Sequence, residues 1–163
     1  MPVTYPAAEM LYPDVTFEEF ARSIGVSLRA GLVAAFGPEA GIDAAADALA
    51  YGWEHWDRVG QMENPSGYLY RVGQTAARRA RRPQGFLPVP PADDLPDFEP
   101  RLLPALESLS EAQRVCVVMV HALGWGQTEV ARLLDISPSS VRTHLARALT
   151  HLQRELEVND HAD

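Results

Sequence analysis

The sequence predicts an all-α protein of two small helical domains joined by a Pro-rich linker, the C-terminal one a helix-turn-helix. Three observations predict it. Apolar residues recur at steps of three and four outside one segment, and no strand-like alternation or internal repeat is visible. Residues 83–101 change to PQGFLPVPPADDLPDFEPR, with six prolines, four acids and no apolar periodicity. Residues 127–149, QTEVARLLDISPSSVRTHLARAL, read as a helix, a four-residue break and a second helix. The expected organisation is therefore 1–82, a linker over 83–101, and 102–163. Prolines stiffen such a linker, so the two units are expected to be held apart without a common core.

Taking the elements in order, Thr16-Phe17-Glu18-Glu19 is a capping box, with Val15 and Phe20 spaced as a hydrophobic staple. Behind it Phe20, Ile24, Leu28 and Leu32 sit four apart, and Gly37-Pro38 predicts a stop near Phe36. A second helix is expected from about Ile42 to Trp56. Its inward stripe would be Ile42, Ala46, Leu49, Trp53 and Trp56, with Asp43, Asp47 and Glu54 outside it. After a polar loop, Gly60 to Ser66, a third helix should turn Leu69, Val72 and Ala76 inward and end in arginines. The second unit begins near Leu102, with apolar runs around Leu106, Val115, Val118, Met119 and Leu123.

In the helix-turn-helix, Val130, Ala131 and Leu134 fall on one face, and Val141, Leu145, Ala148 and Leu152 follow at steps of four, three and four. Between them Asp135 suits the left-handed conformation of a sharp turn, Ile136 plugs the crossing, and Ser137-Pro138 reads as N-cap and first helical residue. At about 100° per residue, Ser139, Thr143 and Arg147 point away from Val141, flanked by Ser140, Arg142 and Ala146. Short hydroxyls and guanidiniums suit phosphate oxygens and base edges. An ordinary helical hairpin with a solvated outer face has the same spacing. His144, at the boundary of the face, reads as a packing or phosphate-contact residue.

Composition bounds the function. At 163 residues, 47% hydrophobic and 22% charged, the chain can bury one moderate core or two small ones. A formal net charge of −8 excludes coating nucleic acid by charge alone, so any DNA contact must be local. Charge is segregated: residues 1–63 hold ten acids and three arginines, whereas 64–82 hold five arginines (Arg71, Arg78, Arg79, Arg81, Arg82) and no acid. The absence of lysine points to a GC-rich genome. Cys116, the sole cysteine, lies in the apolar run VCVVMV and reads as a buried hydrophobe. With no span of about 18 apolar residues and no signal-peptide pattern, a cytoplasmic protein is expected. The five histidines form no metal motif, and neither a phosphate-binding glycine loop nor a nucleophile elbow is present, so neither enzyme nor cofactor is expected.

The segments WEHWDRV (53–59), GYLYRVGQTAARR (67–79) and LPALESLSEAQRVCVVMVHALGWGQTEVARLLDISPSSVRTHLARALTHLQREL (103–156) resemble bacterial RNA polymerase sigma factors of the extracytoplasmic-function class. The resemblance spans about Phe17 to Leu156. It implies a promoter-specificity factor that binds core RNA polymerase through its clamp helices and flap. Asp43, Asp47 and Glu54 would offer carboxylates to the polymerase. Tyr68, Tyr70, Arg71, Arg78 and Arg79 would hold the opened −10 strand, and Ser139, Ser140, Arg142, Thr143 and Arg147 would read the −35 element. An anti-sigma partner is also implied; a membrane or a small-molecule substrate is not.

This chain departs from the family pattern at three places. Ala46 replaces a glutamine, Gly73, Gln74 and Thr75 replace an asparagine and bulky apolar residues, and Asp135 replaces the glycine of the turn. Two other readings fit the pattern: a dimeric helix-turn-helix regulator, and a sigma-like interaction protein that does not melt promoters.

Overall fold

The computed structural model describes residues 14–80 and 101–157, and among them all regular structure is helical. Arg81, Arg82 and the expected linker up to Pro100 lie outside the described residues. The first unit comprises α1 (Phe17–Phe36), α2 (Pro38–Glu54), the short α3 (Trp56–Val59) and α4 (Pro65–Arg79). The second comprises α5 (Leu102–Glu107), α6 (Glu111–Val117), α7 (Gln127–Leu134) and α8 (Pro138–Glu157), with a π-helical turn, Val118–Ala122, continuing α6.

The capping box forms as expected: the Glu19 amide donates to Thr16 Oγ1 at 3.3 Å and the Thr16 amide donates to the Glu19 carboxylate at 3.1 Å. Phe20, Ile24, Leu28 and Leu32 are buried, and Val15 packs on the same core. The helix stops at Gly37, whose φ of 89° favours glycine. Pro38 opens α2 at once, because the first turn needs no partner for the missing N–H.

The inward face of α2 is not the one its large side chains predict. Gly41, Ala44, Ala45, Ala48 and Gly52 are buried, while Ile42 is 48% and Trp53 58% exposed, Ala46 is exposed and Leu49 is half-buried. The small residues repeat at helical spacing too, and they win because α2 is pressed between α1 and α4. A methyl group at Gly41 would lie 2.5 Å from the Val33 nitrogen and Cα. Of the expected stripe, Leu49 and Trp56 pack half-buried against the core; the Trp56 ring is tilted on Phe20 with centroids 4.7 Å apart, and its indole N–H donates to the Val15 carbonyl at 3.1 Å.

Helix α4 likewise buries more than one stripe. Leu69, Tyr70, Gly73 and Ala77 are buried, whereas Val72 and Ala76 are half-buried, because α4 meets α2 on one side and the second unit on another. Gly73 is explained by this crowding: a methyl there would lie 2.6 Å from a Leu32 methyl carbon.

The two units are packed together, contrary to the expectation that a stiff linker holds them apart. Leu133, Tyr70 and Met119 all converge on the notch at Gly31, at 2.8, 3.1 and 3.5 Å from where its Cβ would stand. Buried Arg114, on α6, reaches across to the end of α1: Nε donates to the Ala34 carbonyl at 3.0 Å and Nη2 to that of Ala35 at 2.8 Å. It also donates to the Leu109 carbonyl at 3.0 Å. The last turn of α1 carries no basic residue, so Arg114 supplies the cation and the donors that its terminal carbonyls lack. Burial lowers the guanidinium's pKa from its ordinary value, and Glu111 and Glu107 oppose that shift. Linker composition reports on the tether alone, and the apolar and hydrogen-bonding complementarity of the faces decides whether they meet.

Candidate functional site

The helix-turn-helix forms as its spacing predicts. Asp135 takes φ 55° and ψ 47°, in the left-handed region, and the Ile136 amide donates to the Ala131 carbonyl at 3.0 Å across the turn. Ser137 begins α8: its Oγ accepts from the Ser140 amide at 3.1 Å. Val141, Leu145, Ala148 and Leu152 are buried. In α7 the buried residues are Val130, Ala131 and Leu133; Leu134, expected inward, is only half-buried.

Opposite the buried stripe, Ser139, Arg142, Thr143 and Arg147 are exposed and Ser140 is half-buried. The hydroxyls are pre-oriented by their neighbours. Ser139 and Ser140 Oγ both bond Ser137 Oγ, at 2.8 and 2.9 Å, and Thr143 donates to the Ser139 carbonyl at 3.0 Å. Thr143 Oγ1, having spent its proton, faces outward as an acceptor. Farther along, the Arg154 guanidinium donates to His151 Nδ1 at 3.0 Å, and His151 Nε2–H donates to Ser108 Oγ at 2.7 Å, tying α8 to α5. His144 is half-buried, with a buried Nδ1 that has no partner in the structure.

Of the five residues assigned to the −10 strand, Tyr70, Arg71 and Arg78 share one seam, and Tyr68 and Arg79 lie apart from it. Tyr68 turns toward α2, where its hydroxyl lies 3.2 Å from that of Tyr51; Tyr51 in turn stacks on His55 and accepts from Arg58. The bond to Tyr51 raises the Tyr68 pKa. This cluster of two tyrosines, a histidine and an arginine went unread in the sequence, although Tyr51 and His55 stand one helical turn apart. Tyr70 is a correction: it is 1% exposed, filling the seam between the units, and burial pushes its phenol pKa up. It presents no face to a base here, because α4 has a neighbour on the side that the sequence leaves open. Arg71 and Arg78 lie on that same seam and pair with Asp135 at 2.7 Å and Glu111 at 3.2 Å. Arg79 is exposed at the end of α4.

On α2, Asp43, Asp47 and Glu54 are exposed as expected, and interleaved with them stand Ile42, Leu49 and Trp53. This is an apolar stripe at steps of seven and four with acids beside it, instead of an acidic face alone. Trp53 is held by an edge contact to Phe17, 5.7 Å between ring centroids. Burial raises the Cys116 thiol to about 11, in keeping with an inert core position. No helix among the described residues is long and apolar enough to cross a membrane.

Comparison with known proteins fits this geometry. The family described as Sigma-70, region 4 matches residues 101–152, which include the whole helix-turn-helix. The RNA polymerase sigma-E factor of Streptomyces antibioticus is 31% identical over 127 residues, covering 69% of this chain and 68% of that one. The sigma-E factor of Streptomyces coelicolor is 32% identical over 123 residues, covering 69% and 70%. Two solved structures share the fold. They are the sigma factor RpoE of Bartonella quintana, crystallised with the anti-sigma factor NepR, and CnrH, in complex with the cytosolic domain of CnrY. The first has a TM-score of 0.59 at 19% identity and covers 87% of this chain and 97% of that one. The second has a TM-score of 0.56 at 23% identity and covers 87% and 88%. With its relatives matched over two thirds of both lengths, the chain belongs to the bacterial RNA polymerase sigma factors, in the extracytoplasmic-function class, the promoter-specificity subunits of transcription initiation.

Proposed function

We propose that the chain directs core RNA polymerase to a two-part promoter, with the C-terminal unit reading the −35 element through α8 and the N-terminal unit docking on the polymerase and holding the opened −10 strand. The observation that carries this reading is the exposed row Ser139, Arg142, Thr143 and Arg147, standing opposite a fully buried stripe on a helix that follows a left-handed turn. The chain performs no chemistry of its own and works in the cytoplasm beside the polymerase. Neither unit needs to grip DNA tightly alone, because the tether and the polymerase supply effective concentration. Run-off transcription from a fragmented host genome, with core polymerase plus and minus this protein, tests the reading. New transcripts sharing paired upstream elements support it; none, with another sigma factor active on the same core, refutes it.

Within that reading Arg147 contacts phosphate. Arg147→Ala should reduce transcription from all its promoters to a similar extent and lower the salt slope of DNA binding by about one. Thr143→Ala should change sequence preference at one −35 position, by about 1–3 kcal/mol, and leave the salt slope alone. Filter binding across salt concentrations separates the two.

The polymerase-docking face is α2. Its acids steer encounter and set register, while the apolar stripe of Ile42, Leu49 and Trp53 supplies affinity. Trp53→Ala should weaken core-polymerase binding by about tenfold or more in an equilibrium titration, and the triple change of Asp43, Asp47 and Glu54 to amides should mainly slow association at low salt. Ala46, in the middle of this exposed face, supplies a shallow contact where the family has a glutamine. Of the two solved structures that share the fold, RpoE was captured with an anti-sigma factor and CnrH with the cytosolic domain of CnrY, which supports a protein antagonist for this chain as well.

A further inference from the structure

We infer that Arg58, Tyr51 and His55 form with Tyr68 a subsite for one nucleotide of the opened strand, the Tyr68 ring taking the base and the Arg58 guanidinium the phosphate. The inference deepens the proposed function and rests on its assignment of Tyr68. Of the aromatic side chains assigned to that strand, Tyr70 is buried and Tyr68 is half-buried. Of the cations assigned to it, Arg71 and Arg78 are each paired with a carboxylate. The cation that the structure joins to Tyr68 is a different one, Arg58 on α3, two hydrogen bonds away through Tyr51.

Charge sets Arg58 apart. It is the sole arginine between Arg29 and Arg71, and Asp57 and Glu54 are its near neighbours in sequence. Yet among the described residues it forms no ion pair, and its Nη2 donates to the neutral Tyr51 phenol instead. An exposed guanidinium held by a neutral acceptor keeps its full charge and its other N–H donors for an anion. A phosphate matches that planar fork. The neighbouring ring selects a nucleotide over a simple anion, because a base has a π-face to stack and inorganic phosphate has none.

The cluster also fixes the ring that the base would meet. The Tyr68 hydroxyl lies 3.2 Å from that of Tyr51, which tethers the far end of the ring, while the side chain packs on the core. Tyr51 is braced in turn: its ring stacks on the His55 imidazole, with 4.2 Å between centroids and 19° between planes. His55 Nδ1–H donates to the Tyr51 carbonyl at 3.0 Å, and this bond fixes the imidazole tautomer, since a carbonyl can only accept. Tyr51 and His55 are thus positioning residues, and Arg58 is a contact residue. A stacking ring already held in place loses less freedom when a base arrives.

The test uses the full chain with core RNA polymerase and a short random pool of iodouracil-substituted single-stranded DNA, with photo-adducts on this chain located by peptide mapping. In the parent, adducts should form at Tyr68, and their yield against DNA concentration reads the affinity of the subsite. Arg58→Met should weaken that affinity by about tenfold and lower its salt slope by about 0.7, whereas Arg58→Lys should keep the slope. Tyr51→Phe should weaken it by about fivefold with the slope unchanged, because the ring loses its tether and the site loses no charge. Thermal melts and retention on core polymerase should match the parent in all three variants, which separates loss of the contact from a folding or docking defect. Adducts at Tyr68 that Arg58→Met leaves unchanged in yield and slope would overturn the subsite while the −10 assignment of Tyr68 stands. No adduct at Tyr68 in the parent would overturn the inference by removing that assignment itself.

Discussion

Replacing Gly41 with alanine should destabilise the protein by about 3 kcal/mol, lowering its melting temperature by about 6–12 °C. The new methyl would stand 2.5 Å from the Val33 nitrogen and Cα and 2.7 Å from the Leu32 carbonyl carbon. All three are backbone atoms of α1, so no rotamer change relieves the overlap and the helices must separate. Separation spreads, because Ala44, Ala45, Ala48 and Gly52 rest on the same close approach. Alanine's better helix propensity returns about 1 kcal/mol and does not cover the loss. Gly25 supplies the control, since a methyl there meets nothing within 4 Å. Gly25→Ala should stabilise by about 0.5–1 kcal/mol. Thermal melts of the two variants check both signs; a Gly41 variant as stable as its parent would mean that α1 and α2 do not pack this closely.

The second large effect is expected at Arg114. Arg114→Leu removes the donors to Ala34, Ala35 and Leu109 and leaves those carbonyls buried beside an apolar side chain. The loss should be about 2–4 kcal/mol, because an acceptor kept from water without a partner forfeits its hydration as well as its bond. Arg114→Lys should recover only a fraction, since one ammonium cannot reproduce a planar fork spread over carbonyls of two units. The shape of urea unfolding is as informative as its midpoint. With the seam weakened, the two units should begin to unfold at different urea concentrations, and fluorescence and circular dichroism should stop coinciding.

The sequence made plain whatever is local. The capping box at Thr16, the stripe from Phe20 to Leu32, the stop at Gly37, the left-handed Asp135 and the buried row from Val141 to Leu152 each depend on residues within two turns, and each is where the spacing puts it. The exposure of Ser139, Arg142, Thr143 and Arg147 followed directly from that geometry. What misled was competition between stripes. In α2 the large side chains and the small ones both repeat helically, and ranking them by hydrophobicity chooses the wrong face when backbones approach closely. The run Gly41, Ala44, Ala45, Ala48, Gly52 was the available signal. Tyr70 was expected at a surface, and Arg114 went unread, for a different reason: their partners lie on the other unit, and no local pattern announces a contact between helices separated by a proline-rich segment.

The borrowed cap at the end of α1 also has a consequence in time. A chain is made from its N-terminus, so α1 is complete while Arg114 has yet to be joined to it. Until then the Ala34 and Ala35 carbonyls have only water, and the side of α4 bearing Tyr70 and Arg71 has no cover. The nascent first unit thus passes through a state in which this side of α4 is open and the end of its longest helix uncapped, and translation of the second unit caps the helix and covers α4 together.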